Sequence, residues 1–215
     1  TPHNPSATVW TAAEMQQLTD LLRPTDVLVI GDEFYEHMVY DGIRHESIAR
    51  WPELAARSFV VSSFGKTYHV TGWKVGYVAA PAALTTEFRK VHQFNVFTVN
   101  TPVQHGLAAY MRDPGPHLGL AMFYQGKRDL FADGLRATRL RPLPSAGTYF
   151  QCADYSRISD EPERAFCERL TRETGVAAIP MSAFYADALE QRLIRFCFAK
   201  QTTTLELALE RLRRL

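Results

Sequence analysis

Ser62-Ser63-Phe64-Gly65-Lys66-Thr67-Tyr68-His69-Val70-Thr71-Gly72-Trp73-Lys74-Val75-Gly76 is the stretch on which the reading of this chain turns. The apolar run Phe59-Val60-Val61 delivers two hydroxyls, a glycine and a lysine in quick succession, and a second lysine follows beside Trp73. A lysine at the end of a buried strand is costly to desolvate unless it is paired or covalently used. Desolvation also depresses its pKa and turns it into an amine nucleophile. Lys66 is therefore the candidate nucleophile. Gly65-Lys66-Thr67 also matches the tail of a phosphate-cradling G-x-x-x-x-G-K-T loop, but that loop needs a glycine where this chain has Val60. A plain surface lysine in a turn stays open as the bland reading of the motif taken alone.

Working outward, Val27-Leu28-Val29-Ile30 is a second apolar run of the kind found in strands covered on both faces. Gly31-Asp32-Glu33-Phe34-Tyr35 follows it at once, so Asp32 and Lys66 both stand at strand carboxyl ends. In open α/β sheets that rim is where ligands bind. Val75 to Ala80 reads as another strand, closed by Pro81, with Gly72 and Gly76 permitting close backbone approach. Thr11-Ala12-Ala13-Glu14 is a capping box opening a helix that Pro24 stops. Helical spacing returns after Ala82 and again from Pro102 to Met111.

Asp113-Pro114-Gly115-Pro116 is the strongest punctuation in the chain and marks the predicted domain boundary. Residues 1–115 read as the latter part of a large, mostly parallel α/β domain. Residues 116–215 read as a linking helix, from His117 to about Thr138, and a smaller α+β domain. In the latter, strands are predicted over 148–153, 176–179 and 193–198. One helix is opened by Asp160 with Glu163 and ended by Gly175, and another opens on the capping box Thr203 to Glu206 and carries Leu205, Ala208, Leu209 and Leu212 as one apolar stripe.

With 215 residues, 46% of them hydrophobic, the chain can bury a sizeable core. A net charge of +1 gives no electrostatic argument for nucleic acid or an anionic membrane. Three cysteines without C-x-x-C spacing suit a reducing, cytoplasmic setting better than a disulfide framework. The histidines and cysteines show no metal-ligand spacing, and no apolar run spans a bilayer. The chain starts Thr1-Pro2-His3-Asn4-Pro5 without a methionine, and that turn-rich opening reads as a strand exit with further large-domain sequence before it.

Together Asn4-Pro5, Asp32-Glu33-Phe34-Tyr35, Ser63-Phe64-Gly65-Lys66 and Ile194-Arg195-Phe196 resemble the pyridoxal-phosphate aminotransferases of fold type I, class I/II. Asp-Glu-Phe-Tyr-Glu-His and Gly-Lys-Thr-Tyr-x-x-Thr-Gly-Trp-Lys-Val-Gly are most similar to the methionine and kynurenine branch. The resemblance implies pyridoxal 5'-phosphate as cofactor, an L-amino acid and a 2-oxo acid as substrates, and a homodimer. It gives Lys66 the Schiff-base and proton-shuttling role, and Asp32 a buried place against the pyridine nitrogen. Asn4 and Tyr35 would bind the phenolic oxygen, with Ser63 and Lys74 on the phosphate. Arg195 would take the substrate α-carboxylate, and Phe97 would reach a neighbouring subunit's pocket. Gly147 and Tyr149 would approach the substrate.

Each of these residues also has a plainer reading. Asp32 alone reads as a helix N-cap, Asn4 as a turn residue, Tyr35 and Phe97 as core, Lys74 as a solvated surface lysine and Arg195 as one half of a buried ion pair. A carbon-sulfur β-lyase of cysteine conjugates, or a non-catalytic domain of the same fold, are the rival functions.

Overall fold

The capping box at the front of the chain closes reciprocally. Glu14 N–H donates to Thr11 Oγ1 at 3.3 Å while Glu14 Oε2 accepts from the Thr11 N–H at 2.7 Å. These two bonds satisfy donors that a helix start would otherwise leave open. Helix α1 (Ala12–Leu22) follows, and its Met15 packs with Ile48, Leu54 and Val60 into a small core. Our computed structural model describes residues 1–215 as two units, Thr1–Pro2 with Val9–Ala121 and His3–Thr8 with Met122–Leu215.

The first unit holds a three-stranded sheet in the order β1 (Val29–Asp32), β2 (Ser58–Ser63), β3 (Gly76–Ala79). β1 and β2 run parallel with Val29 opposite Ser58, and the short helix α2 (Pro52–Ala55) precedes β2. β3 turns back antiparallel, with Ser63 opposite Gly76. The sheet is thus mixed, because the 64–75 connection folds back on itself instead of crossing over through a full helix. Gly76 is needed there, since a Cβ at this position would lie 2.6 Å from the Ser62 carbonyl oxygen. Gly72 has open space around it and is not needed for close approach.

The expectation that the Val27 to Ile30 run is covered on both faces does not hold in this chain. Val27 and Leu28 precede the strand and are exposed, and Ile30 is 76% exposed. Successive strand residues face opposite sides, so Gly31 turns inward while Ile30 and Asp32 share the open face. The 64–75 connection holds α3 (Phe64–Thr67), and beyond β3 lie α4 (Ala82–Asn95), α5 (Thr101–Tyr110) and α6 (Gly115–Leu118). The predicted single linking helix is two, because α6 ends at Gly119 before α7 (Leu120–Arg136) begins.

The second unit carries an antiparallel sheet of β4 (Arg141–Pro142), β5 (Phe150–Asp154), β6 (Ile179–Pro180) and β7 (Leu193–Cys197), in the order β4-β5-β7-β6. Helices α7, α8 (Glu163–Thr174) and α9 (Thr202–Leu212) supply its other layer. Tyr155 and Phe166 stack at 4.0 Å, Phe131 meets Phe196 edge-on at 5.5 Å, and Leu205, Leu209 and Leu212 are buried as their stripe predicts. A Cβ on Gly134 would meet Leu209 Cδ1 at 2.3 Å, so α7 and α9 pack through that glycine.

Two predicted caps are overturned. α9 starts at Thr202 with Gln201 at its N-cap and no side-chain cap, two residues ahead of the Thr203 to Glu206 box. Likewise α8 starts after Pro162, whose fixed φ suits a helix entry, and Glu163 is not a capping partner of Asp160. Instead the fully buried Glu163 carboxylate accepts the Ser182 N–H at 2.5 Å and the Gln191 and Leu193 N–H groups at 2.9 Å each. Gly175 does end α8 in the left-handed conformation at φ 70°.

Candidate active site

Ser63 is both the last residue of β2 and the N-cap of α3, with its Oγ accepting the Gly65 N–H at 3.0 Å. This cap turns the chain sharply and carries Lys66 just past the strand end. Lys66 is half-buried there, its Nζ 5.9 Å from the centre of the Tyr35 ring. Because β1 and β2 are parallel, Asp32 at the end of β1 lies on the same carboxyl rim. The first unit therefore gathers Asp32, Tyr35, Ser63 and Lys66 at one edge of one sheet. Lys74 follows in the same connection, exposed and left-handed at φ 56°, so its ammonium is carried at the surface beside the half-exposed Trp73.

The motif around Asp32 distributes its carboxylates differently from expectation. Asp32 is exposed and accepts the Phe34 N–H at 3.2 Å, a turn bond that is neither a helix cap nor a buried carboxylate. The buried acid is the next residue, because the strand alternates. Glu33 bonds the His45 ring at 2.9 Å and the Ile48 N–H at 2.9 Å. Burial pushes the Glu33 carboxyl up, but bonds from His45, Ile48 and Ser47 outweigh it and hold it below the ordinary carboxylate value. Tyr35 is buried over the Lys66 side. Glu36, beyond it, accepts Ser62 Oγ at 2.8 Å and Tyr77 OH at 2.7 Å.

The second unit brings Asn4 and Arg195 together. The Arg195 guanidinium donates to Asn4 Oδ1 and lies 3.9 Å from the centre of the Phe150 ring and 4.9 Å from that of Phe184. Arg195 is buried in β7, opposite Cys152 of β5. Two aromatic faces hold the planar fork at a set tilt, which suits bidentate recognition of a carboxylate. Burial pushes the Cys152 thiol up to about 11 against the pull of Arg195, so Cys152 is a packed thiol and not a nucleophile. Phe150 and Phe184 were not singled out from the sequence. Phe150 carried a signal all the same, standing beside Tyr149 in an apolar run that faces the Arg195 strand.

Gly147 is buried and its N–H donates to the Ala7 carbonyl, while Tyr149 meets Tyr124 at 5.8 Å. Phe97 is 83% exposed just past α4, which removes core packing within this chain as its role.

Residues 1–212 match the family described as Aminotransferase class I and II. This chain belongs to that family. It is 50% identical over 216 residues to the methionine aminotransferase of Escherichia coli K12, covering all of this chain and 56% of that protein. Against kynurenine–oxoglutarate transaminase 3 of Rattus norvegicus it is 37% identical over 230 residues, covering 98% of this chain and 51% of that one. A crystal structure from Escherichia coli, described as identifying a methionine aminotransferase function, superposes with a TM-score of 0.98 at 50% identity. It is covered to 57%, with all of this chain aligned. The N-succinyldiaminopimelate aminotransferase structure from Mycobacterium tuberculosis gives 0.93 at 35% identity, with all of this chain and 56% of that one aligned. The chain thus spans about half the length of the relatives it matches. The fold type I class read from its motifs is the class of these aminotransferases.

Proposed function

We propose that the full-length protein is a pyridoxal-phosphate aminotransferase that moves the amino group of an L-amino acid to a 2-oxo acid. Methionine, an aromatic amino acid or a kynurenine-like donor is the favoured class, on the strength of the relatives it resembles. The observation that carries the reading is the Lys66 amine standing at a strand carboxyl end against the buried Tyr35, in a chain matched to the family over residues 1–212. When bound, pyridoxal phosphate supplies an aldehyde for condensation with an amine and a protonated ring that accepts electron density.

The donor set fits that group. An amine (Lys66), two hydroxyls (Tyr35 and Ser63), a carboxylate (Asp32) and an ammonium (Lys74) are the chemistries its aldehyde, phenolic oxygen, phosphate and ring nitrogen require. Ser63 Oγ accepts the Gly65 N–H at 3.0 Å and donates its own O–H to the Val75 carbonyl at 3.3 Å, a long bond that a phosphate oxygen would replace by rotation of the hydroxyl. Asp32, exposed in this chain, presents its carboxylate on the same rim as Lys66. In the second unit Arg195 binds the substrate α-carboxylate, its fork held flat by Phe150 and Phe184, and Asn4 Oδ1 orients it. Lys66 Nζ would carry the proton removed from the substrate α-carbon. Phe97, exposed beyond α4, would reach a second copy of the chain in the proposed homodimer.

The test is donor kinetics on the full-length protein. L-methionine with a 2-oxo acid should give the amino acid of that oxo acid together with the methionine-derived oxo acid. Release of pyruvate and a thiol from a cysteine conjugate at a greater rate would instead favour the carbon-sulfur lyase.

A further inference from the structure

Between β1, β2 and β3 lies a chain of polar contacts that the roles above do not use. Glu36 stands directly after Tyr35, and its Oε1 accepts from both Ser62 Oγ on β2 and Tyr77 OH on β3, at 2.8 and 2.7 Å. Ser62 is buried and is the residue before the α3 cap, four positions before Lys66. The same carboxylate lies 3.7 Å from His37 Nε2. The His37 ring meets that of His117 at 5.2 Å, and His117 Nδ1 is 3.4 Å from the hydroxyl of Tyr68, two positions after Lys66. Glu36 is thus the junction from which one arm reaches the entry to the lysine turn and the other reaches its exit.

We propose that Glu36 is a positioning residue, which fixes the turn after β1 against β2 and β3 so that Tyr35 stands against the Lys66 amine. The inference rests on the cofactor role given to that pair. Three observations carry it. The turn has its own backbone bonds, Glu36 N–H to Glu33 O at 3.0 Å and Met38 N–H to Tyr35 O at 2.8 Å, so its shape is set locally. Its place against the neighbouring strands is set by side chains on both flanks. Glu33 is tied to His45 and Ile48 on one side, and Glu36 to Ser62 and Tyr77 on the other. Tyr35 lies between them.

A charged acceptor shared by two hydroxyls makes shorter, stronger bonds than neutral pairs do. The titration of the neighbours agrees with this: partial burial and the Glu36 bond together push the Tyr77 phenol up to about 12. Burial holds His37 below its ordinary value, Glu36 pulling it up and His117 and His45 pulling it down.

The consequence is electronic as well as geometric. A tyrosine hydroxyl donating to the phenolic oxygen of the cofactor stabilises the anionic oxygen, so a displaced Tyr35 leaves that oxygen more basic. The pH midpoint of the visible lysine–cofactor band then rises.

The test uses the full-length protein as wild type, Glu36→Gln and Glu36→Ala. Two readouts are taken: hydrogen exchange of the 32–40 peptide without cofactor, and the pH midpoint of the visible band after loading. Glu36→Ala should raise exchange in that peptide about tenfold while peptides from α8 stay unchanged, and should move the midpoint up by at least half a pH unit. Glu36→Gln keeps an acceptor oxygen and should restore most of both. Loosened exchange with an unmoved midpoint would make Glu36 merely structural and overturn the proposal. Unchanged exchange overturns it too. A wild type without any borohydride-bleachable band removes the cofactor reading itself, and the proposal with it, an outcome distinct from a normal wild-type band that Glu36→Ala leaves in place.

Discussion

In the four-stranded sheet every residue of β5 is buried, whereas β1 alternates and leaves Ile30 76% exposed on an open face. Both strands mix apolar residues with one or two polar ones and end on an aspartate, so composition does not separate them. What separates them is what lies against their second face within this chain. Helices α7, α8 and α9 and the aromatic pairs Tyr155–Phe166 and Phe131–Phe196 belong to the second unit's core, while Val27, Leu28 and Ile30 stay exposed in the first.

The same contrast runs through the two buried acids. Glu163 collects three backbone N–H groups from outside its own helix, whereas Glu33 collects one backbone N–H together with the His45 and Ser47 side chains. Of the two units, the closed one positions the arginine and the open one the lysine.

The largest effect expected from this contrast is at Glu163. Glu163→Ala leaves one buried and two part-buried backbone donors without their acceptor, and denaturant unfolding of the second unit should lose about 3 kcal/mol. A loss no greater than that of a surface alanine would break the contrast. Next comes Arg195→Lys in the full-length protein. It removes the planar fork held by Phe150 and Phe184, and KM for the 2-oxo acid should rise roughly 10- to 100-fold, the worth of one or two hydrogen bonds to a charged group. An unchanged KM would remove Arg195 from the carboxylate.

A smaller effect is expected at Glu33. Its folded carboxyl titrates below its unfolded value, so its stabilisation is fully present above about pH 4.3 and is lost as pH falls through the lower folded value. Glu33→Gln should flatten that acid limb of the melting temperature. An acid limb as steep as that of the wild type would assign it elsewhere. Smallest in stability is Ile30→Ser, which should lower binding of an apolar dye to the 215-residue chain while hardly moving its melting temperature.

Much of this was legible in the residues. The Thr11 to Glu14 box, the apolar runs ending at Asp32 and Ser63, and the α9 stripe carry local physics that the sequence spells out, and the lysine motif stands where a strand meets a helix cap. The reversal of β3 was not legible, because strand direction depends on how the 64–75 connection folds. Neither was the burial of Glu33 in place of Asp32, since alternation fixes which of two adjacent acids is buried only once the first inward residue is known. The Thr203 box failed because α9 opens two residues earlier, with Gln201 at its N-cap and Thr202, which carries no signal of its own, as its first residue. The pairing of Asn4 with Arg195 spans nearly the whole chain, and no periodicity encodes it.

The most direct measurement is peptide mapping after borohydride reduction of the full-length protein loaded with pyridoxal phosphate. The account predicts one reduced cofactor adduct per chain, on the peptide containing Lys66, and none in Lys66→Ala. An adduct on Lys74 or elsewhere with Lys66 unmodified would contradict it.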